Sequence, residues 1–395
     1  MTSVLATREG RLTCAWYGAL FFAFGAHLPY WPVWLADWGL SEAEIATYLG
    51  LALIVRVIGS VTLPALADRF AARRIVIAAM ALLAAMAFIA HLAIESRSVL
   101  LLATLFTAVA ASPMIPLGEA LGVRAATRHG FAYAHARAAG SLAFLAMNLG
   151  LGALISIAGP GVVVWAVALN FLGVAALGLV HPGGGAPPGM LDQSRLREAV
   201  GLLGKPVFLT FALAASIGQA SHAVYYVYAT LNWTAQGIDP AVIGALWAVG
   251  VAAEILLMLG PGRHLVARLG PARALGLAGL AGIMRWAVMS LEPGLAALWP
   301  VQALHAFTFG LAHLGAMAFV AAAIPPRLQA SAQGIYGGGM GGTAIALATL
   351  AAGAISAAAG PASAYWLAAG MSAAAVAASF RLAAVWDGRE ISSAP

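Results

Sequence analysis

Charge is what this sequence has least of. Only 9% of its 395 residues are Asp, Glu, Lys or Arg, against about 25% in a soluble domain. With 62% of the residues hydrophobic, no water-soluble fold is open to it, and the chain reads as an integral membrane protein. Cysteine is nearly absent. Cys14 stands alone, which excludes an intramolecular disulfide and any cysteine-based metal site. Also missing are H-E-x-x-H, G-x-S-x-G, Walker and kinase patterns, so the sequence points away from an enzyme and no metal site is expected. The net charge of +6 does not indicate a nucleic-acid partner. Its basic residues fall in short loops between apolar runs, which is the footprint of membrane topology.

Against these absences stand 45 glycines and abundant alanine, which suit closely packed transmembrane helices. A span needs about 20 apolar residues. Twelve runs qualify: 13–35, 44–67, 75–94, 99–122, 132–157, 161–180, 207–231, 240–260, 272–291, 296–323, 332–358 and 361–385. Turns are expected at Gly159-Pro160 and Gly360-Pro361. The first run contains Pro29 and Pro32 and lacks a small-residue cleavage site, so it is expected to be a retained helix. Of the 20 Lys and Arg, the spans place 16 on the side shared by both termini and only Arg97 opposite. That asymmetry predicts cytoplasmic termini. The loop 182–206 opens on a Gly/Pro-rich linker. Its polar run, Asp192 to Glu198, is expected to form a short surface helix. The chain thus divides into six-helix halves, 1–181 and 207–395. A basic loop follows the second span of each half, at 66–74 and 260–273. This repetition is that of two bundles with a substrate site between them, a known transporter plan.

Ionisable residues inside the spans are few: Glu119, Glu254, Arg56, Arg137 and Arg285. In the stretch Pro113 to Gly140, two spans meet at a basic loop read as Arg124 to Gly130, with Glu119 and Arg137 each about 7–10 Å from it at 1.5 Å per residue. Charges at that depth are costly unless paired or hydrated. The two residues form either a structural ion pair or a pair that also offers hydrogen bonds to a ligand. Arg56 either anchors an anionic substrate through its planar fork or bonds backbone carbonyls of a neighbouring helix. His222 and His305 titrate near neutrality and serve either in proton transfer or as helix–helix hydrogen bonders. His91, His129, His181 and His264 fall at span ends or in loops, where solvation is expected. Tyr30, Trp31 and Trp34 in the first span and Tyr225, Tyr226 and Tyr228 in the seventh suit a flat apolar ligand, although Trp34, Trp38 and Trp233 also fit an interfacial belt. The Gly-rich run 334–342 follows no strand, so it is read as a place for close packing and bending rather than a nucleotide loop.

Ala67-Asp68-Arg69 followed by Arg73-Arg74 resembles the loop signature of the major facilitator superfamily, with Pro64 and Ala72 departing from its usual form. His27-Leu-Pro-Tyr-Trp-Pro-Val-Trp-Leu35 resembles the first helix of the lactose permease and phenylpropionic acid permease branches. Arg137-Ala-Ala-Gly-Ser-Leu-Ala-Phe144, Gln219-Ala-Ser-His-Ala-Val-Tyr-Tyr226 and Gln302-Ala-Leu-His-Ala-Phe-Thr-Phe-Gly310 are similar to helices five, seven and ten of the phenylpropionic acid branch. The similarity covers essentially the whole chain.

That resemblance implies an all-α membrane fold of twelve helices, working by alternating access as a monomer in the inner, cytoplasmic membrane. It implies a small-molecule substrate, a lipid bilayer around the chain, no cofactor, and a proton gradient as energy source. Asp68, Arg69 and Arg73 would form the conformational loop. Glu119 and Arg137 match the sugar-binding pair of lactose permease, Glu254 its proton-coupling acid and Arg285 its helix-nine arginine. Where that permease carries helix-seven and helix-ten acids, this sequence has His222 with Tyr225 and Tyr226, and Thr308 three residues after His305. The expected substrate contacts are therefore Glu119, Arg137, Tyr30, Arg56, His222, Tyr226, Arg285 and His305. Glu254, His305 and His222 are the candidates for proton coupling. The expected activity is proton-coupled uptake of a small aromatic carboxylate, phenylpropionate-like. Its rivals are a sugar or nucleoside symporter of the same fold, an efflux carrier for lipophilic compounds, and a membrane receptor or assembly factor that carries nothing.

Overall fold

A computed structural model describes residues 3–184 and 193–391, and these fold into helices with no strand among them. Eleven segments are long and apolar enough to cross a membrane. They are α2 (Glu42–Arg69), α3 (Arg73–Ala93), α4 (Arg97–His129), α5 (Tyr133–Ala158) and α6 (Val162–Leu179), then α7 (Pro206–Ala235), α8 (Pro240–Leu259), α9 (Pro271–Met289), α10 (Leu295–Ala323), α11 (Pro326–Ala359) and α12 (Pro361–Val385). The twelfth, α1 (Arg8–Asp37), has 30 residues, ample length for a span. Its Trp, Tyr and Pro residues and His27 dilute its hydropathy. It starts where Thr7 Oγ1 accepts the Gly10 N–H at 3.0 Å, an N-cap that satisfies one of the free donors of the first turn. The polar run of the linker is helical over Gln193–Gly201. Asp192 and the Gly/Pro-rich residues 185–191 lie outside the described residues.

One boundary differs from the sequence reading in a way that matters. The expected loop from Arg124 to Gly130 is helix as far as His129, so Arg124 and Arg128 stand on the end of α4. Basic side chains there face the negative end of the helix dipole. The turn is short because Gly130 takes φ +72°, a left-handed conformation that ends the helix in one residue. Within α4 the helix is interrupted at Ser112 and Pro113. A proline lacks the N–H its turn would need.

The chain separates into two compact units: Met1–Leu40 with Leu51–Met190 and Trp233–Ala248, and Ser41–Gly50 with Leu191–Asn232 and Val249–Pro395. In the first, α1 packs on α5 and α6, and α3 packs on α6. In the second, α7 packs on α11 and α12, and α9 packs on α12. The same pairings recur six spans later.

Two histidines are not solvated as expected. His91 is fully buried in the first unit, enclosed by Trp31, Trp34 and Phe88, with its Nδ1 2.7 Å from the Ala87 carbonyl. His181 is fully buried past the end of α6, its ring edge-on to Trp16 at 5.7 Å. His91 lies at the end of an apolar run and His181 just beyond one, where the aromatic residues of α1 fold over them. Trp34 and Trp233 are likewise buried, at 5% and 1% exposure, rather than displayed as a belt. The loop of the family signature is closed by an ion pair in which Arg73 Nε donates to the Asp68 carboxylate. Arg69 lies over the ring of Phe70 at 5.8 Å.

Gly130→Ala is expected to lower folding stability by about 1–2 kcal/mol, the cost of an L side chain in the left-handed region. No atom would obstruct the added methyl, so that cost is conformational alone. A thermal melt of the purified protein checks it. Burial, and next the positive charge of Arg74, pushes the His181 imidazole down to about 4. Because its folded value lies below the ordinary one near 6.5, its contribution to stability is complete above pH 6.5 and falls as pH drops towards 4. Melts of wild type and His181→Gln between pH 7 and pH 4 are expected to show a shallower acid loss in the variant.

Candidate functional site

A polar cluster inside the membrane-spanning helices of the second unit is built on one cation. Arg285, on α9, is fully buried. Its guanidinium donates from one terminal nitrogen to Thr308 Oγ1 at 3.0 Å and to His305 Nδ1 at 3.1 Å, and from the other to Gln302 Oε1 at 3.0 Å. The faces of Tyr225 and Trp286 cover it at 4.7 and 4.6 Å. No carboxylate pairs with it among the described residues. All its bonded partners are formally neutral, and a guanidinium in hydrocarbon needs such partners. Insertion scales put the cost of a central arginine at about 2.5–3.5 kcal/mol, while each hydrogen bond to a charged group returns about 1.5–3 kcal/mol.

The three acceptors come from one helix. Gln302, His305 and Thr308 recur at intervals of three on α10, and the helix is wound as a π-turn over Ala306–Leu311. Such turns are rare and concentrate at functional sites. Pro300 lies inside the preceding helical segment, where it removes a backbone donor. Opposite, α8 comes close because glycines meet side chains in both directions. A Cβ on Gly250 would stand 3.4 Å from His305 Cβ, and one on Gly310 would stand 3.2 Å from Glu254 Cγ. Glu254 Oε2 thereby reaches His305 Nε2 at 3.4 Å.

Donor and acceptor roles follow from chemistry. Arginine has no acceptor, so His305 Nδ1 must accept. In the neutral ring the proton then resides on Nε2, aimed at Glu254. His222, fully buried on α7, has its Nδ1 3.1 Å from the Gln219 carbonyl, which can only accept. Its Nε2, 3.1 Å from Thr308 Oγ1, is therefore the acceptor. The Thr308 hydroxyl accepts from Arg285 and donates to His222. Tyr225 donates to Gln302 Oε1 at 2.9 Å. Two donors are left without an acceptor, Arg285 Nε and Gln302 Nε2. The cluster is short of acceptors, and any group that completes it must bring acceptor lone pairs.

Of the residues singled out in the sequence, this unit brings together His222, Glu254, Arg285 and His305. Tyr226 stacks on His222 with centroids 6.0 Å apart. An ion pair joining Glu254 directly to Arg285 is not formed, because the His305 ring stands between them. Gln302, Thr308 and Trp286 are not among the contacts expected from the sequence, and Tyr225 is expected there only as an aromatic suited to a flat ligand. The three-residue spacing around His305 was the available signal, and it needed Arg285 on another helix to become meaningful.

In the first unit, Arg137 Nε donates to Glu119 Oε1 at 3.1 Å across the hairpin of α4 and α5. The two side chains keep 32% and 37% exposure, so the pair is open to its surroundings. Arg137 also lies over Phe21 at 4.1 Å and Tyr17 at 5.7 Å. The Tyr17 hydroxyl donates to the Gly118 carbonyl at 3.1 Å. Arg56 is half-buried over the Phe24 ring at 5.8 Å. Tyr30 is buried, its hydroxyl donating to the Asn148 carbonyl at 2.8 Å. No group of three or more His, Cys, Asp or Glu among the described residues is placed to hold a metal ion.

The profile of the MFS_1 like family matches residues 14–367. The chain is 31% identical over 350 residues to a probable 3-phenylpropionic acid transporter of Escherichia coli (strain K12), covering 85% of this chain and 88% of the relative. It is 28% identical over 337 residues to the maltose permease of Geobacillus stearothermophilus, covering 82% and 83%. In structure it is similar to the nucleoside transporter NupG, with a TM-score of 0.77 at 15% identity over 96% of this chain and 99% of that one.

Thr308→Val keeps the shape and removes the hydroxyl, leaving Arg285 and His222 each one partner short. A buried polar group without its partner costs about 1–3 kcal/mol. The expected result is a loss of about 2 kcal/mol or more in detergent melts, larger than that for Thr308→Ser, which keeps the hydroxyl.

Proposed function

This chain belongs to the MFS_1 like family and is a multi-pass membrane transporter of the major facilitator type, and we propose that it takes up a small aromatic carboxylate together with a proton. The observation that carries this is a buried Arg285 with no carboxylate partner, linked through neutral His305 to Glu254. With Glu254 ionised, the arginine and the carboxylate balance across the imidazole and the cluster is neutral. When Glu254 takes a proton, the positive charge of Arg285 is left uncompensated. A carboxylate substrate then supplies the missing charge and the oxygen acceptors that Arg285 Nε and Gln302 Nε2 lack. Proton and carboxylate enter as a pair, because either alone leaves net charge in a low dielectric.

The aromatic half of the substrate is matched by Tyr225, Tyr226 and Trp286 around the same guanidinium. The relative named as a probable 3-phenylpropionic acid transporter supports this ligand class. His222 passes hydrogen-bond polarity to Arg285 through Thr308. Glu119, Arg137, Arg56 and Tyr30 are proposed as further substrate contacts, and Asp68, Arg69 and Arg73 as the conformational loop. The protein works as a monomer in the inner membrane with both termini cytoplasmic, as the placement of its basic residues supports. It needs no cofactor beyond the proton gradient. A second reading, a sugar symporter, is favoured by the open Glu119–Arg137 pair and the likeness to a maltose permease.

Proteoliposomes decide between them. An inward-directed pH gradient is expected to drive accumulation of radiolabelled 3-phenylpropionate, with no dependence on membrane potential. In Glu254→Gln, gradient-driven accumulation is expected to fall more than tenfold while exchange of internal for external substrate persists. Accumulation of maltose and not of the carboxylate would move the assignment to the sugar reading.

A further inference from the structure

We propose that Gln302 is the residue that sets the charge class of the substrate, by holding a neutral amide where an arginine would otherwise find its counter-ion. This rests on the carboxylate reading above and names the side chain that enforces it. Gln302 is fully buried. Its Oε1 occupies a carboxylate's place, accepting from an Arg285 terminal nitrogen at 3.0 Å and from the Tyr225 hydroxyl at 2.9 Å. Glutamate is nearly isosteric with glutamine and would accept the same two bonds. Glutamine leaves a different balance: the guanidinium is held in position, and once Glu254, one imidazole away, takes a proton, its charge is not cancelled.

The other half of the amide points the same way. Gln302 Nε2 is buried and has no acceptor, and so does Arg285 Nε. Each buried unsatisfied donor carries a desolvation penalty, so the two empty donors leave the cluster incomplete without a ligand. One ligand carboxylate brings enough lone pairs for both. An alcohol or an amide ligand brings fewer acceptors, and no charge. Gln302 therefore does two things at once. It orients Arg285 and Tyr225 through its oxygen, and it reserves the positive charge for the incoming anion through its neutrality. Thr308 and His305, the remaining partners of Arg285, are neutral in the same sense, but neither becomes an anionic isostere by a single substitution. Gln302 is the one position of the three where charge changes without shape.

The test compares binding of 3-phenylpropionate with that of its neutral amide, 3-phenylpropionamide, to the purified full-length protein at pH 6. Wild type is expected to favour the carboxylate by tenfold or more. In Gln302→Glu the ratio of the two affinities is expected to fall at least tenfold, towards or past equality, because the new carboxylate takes up the Arg285 charge. Gln302→Met removes the bonds without adding charge, and it is expected to weaken both ligands with the ratio kept within about threefold of wild type. If Gln302→Glu does not yield folded protein, Gln302→Lys carries the test with the opposite sign, raising the preference for the carboxylate. A ratio unchanged in Gln302→Glu, or inverted equally in Gln302→Met, overturns the role of Gln302. A wild type that binds the amide as well as the acid overturns the carboxylate reading itself, and this role with it.

Discussion

One fully buried guanidinium constrains the second unit more than any other group. Arg285 cannot shed its charge at any accessible pH, so the helices around it must supply hydrogen bonds and ring faces. They do so from α7, α9 and α10, with Glu254 of α8 one histidine away. Much else follows from that demand. It fixes which nitrogen of His305 carries the proton, and it commits the Thr308 hydroxyl to a direction. It requires the ring of Tyr225 and its hydroxyl in the same place. The three bonds from Arg285 are charge-assisted and anchor the neutral ones around them. The cluster is also incomplete, because its inventory holds more donors than acceptors. Completeness would make a good structural core and a poor binding site.

The two units treat their charges differently. In the first, Glu119 and Arg137 touch directly and remain about one-third exposed. Such a pair is worth little to stability, on the order of 0–1 kcal/mol, and its value is in presenting polar atoms. In the second, the acid and the base are kept apart by an imidazole, with the base fully buried and the acid 17% exposed. Separation leaves each charge only partly compensated, so a single proton takes the whole cluster from neutral to positive. A direct ion pair resists that change. The histidine spacer converts a structural bridge into something that responds to its occupants.

Much of this was legible in the sequence, and the residues show why. Eleven of the twelve spans follow from apolar run length, a signal of about 20 residues, while α1, diluted by its aromatic and proline residues, is long enough to span but less apolar. The helix ends at Gly159 and Gly360 were marked by glycine followed by proline. The turn at Gly130 was legible in kind but not in extent, because the basic residues Arg124, Arg128 and His129 read as a loop but also suit a helix C-terminus. His91 lay at the end of one apolar run and His181 just past another. Their burial depends on rings arriving from α1, which no local pattern announces. The acids and arginines of the site were conspicuous because ionisable residues are scarce inside spans. Gln302 and Thr308 were not, since neutral polar residues are common in membrane helices. Their importance appears only once Arg285 is set beside them in space.

The π-turn of α10 has a consequence for rotational phase. A π-turn is equivalent to one residue inserted into an α-helix, and a residue corresponds to about 100° of rotation. Gln302 and His305 lie on one side of the insertion, and Gly315 and Phe319, which pack on α9 and α7, lie on the other. The extra residue thus lets a single helix aim polar groups at Arg285 and still present its small, apolar face to its neighbours further along. A straight α-helix of the same sequence, one residue shorter in this segment, would have to give up one of those alignments. The glycine-rich stretch Gly334–Gly341 of α11 contains a second such offset. Along these helices, phase is thus an inherited variable in its own right, and a one-residue deletion would move more chemistry than most substitutions.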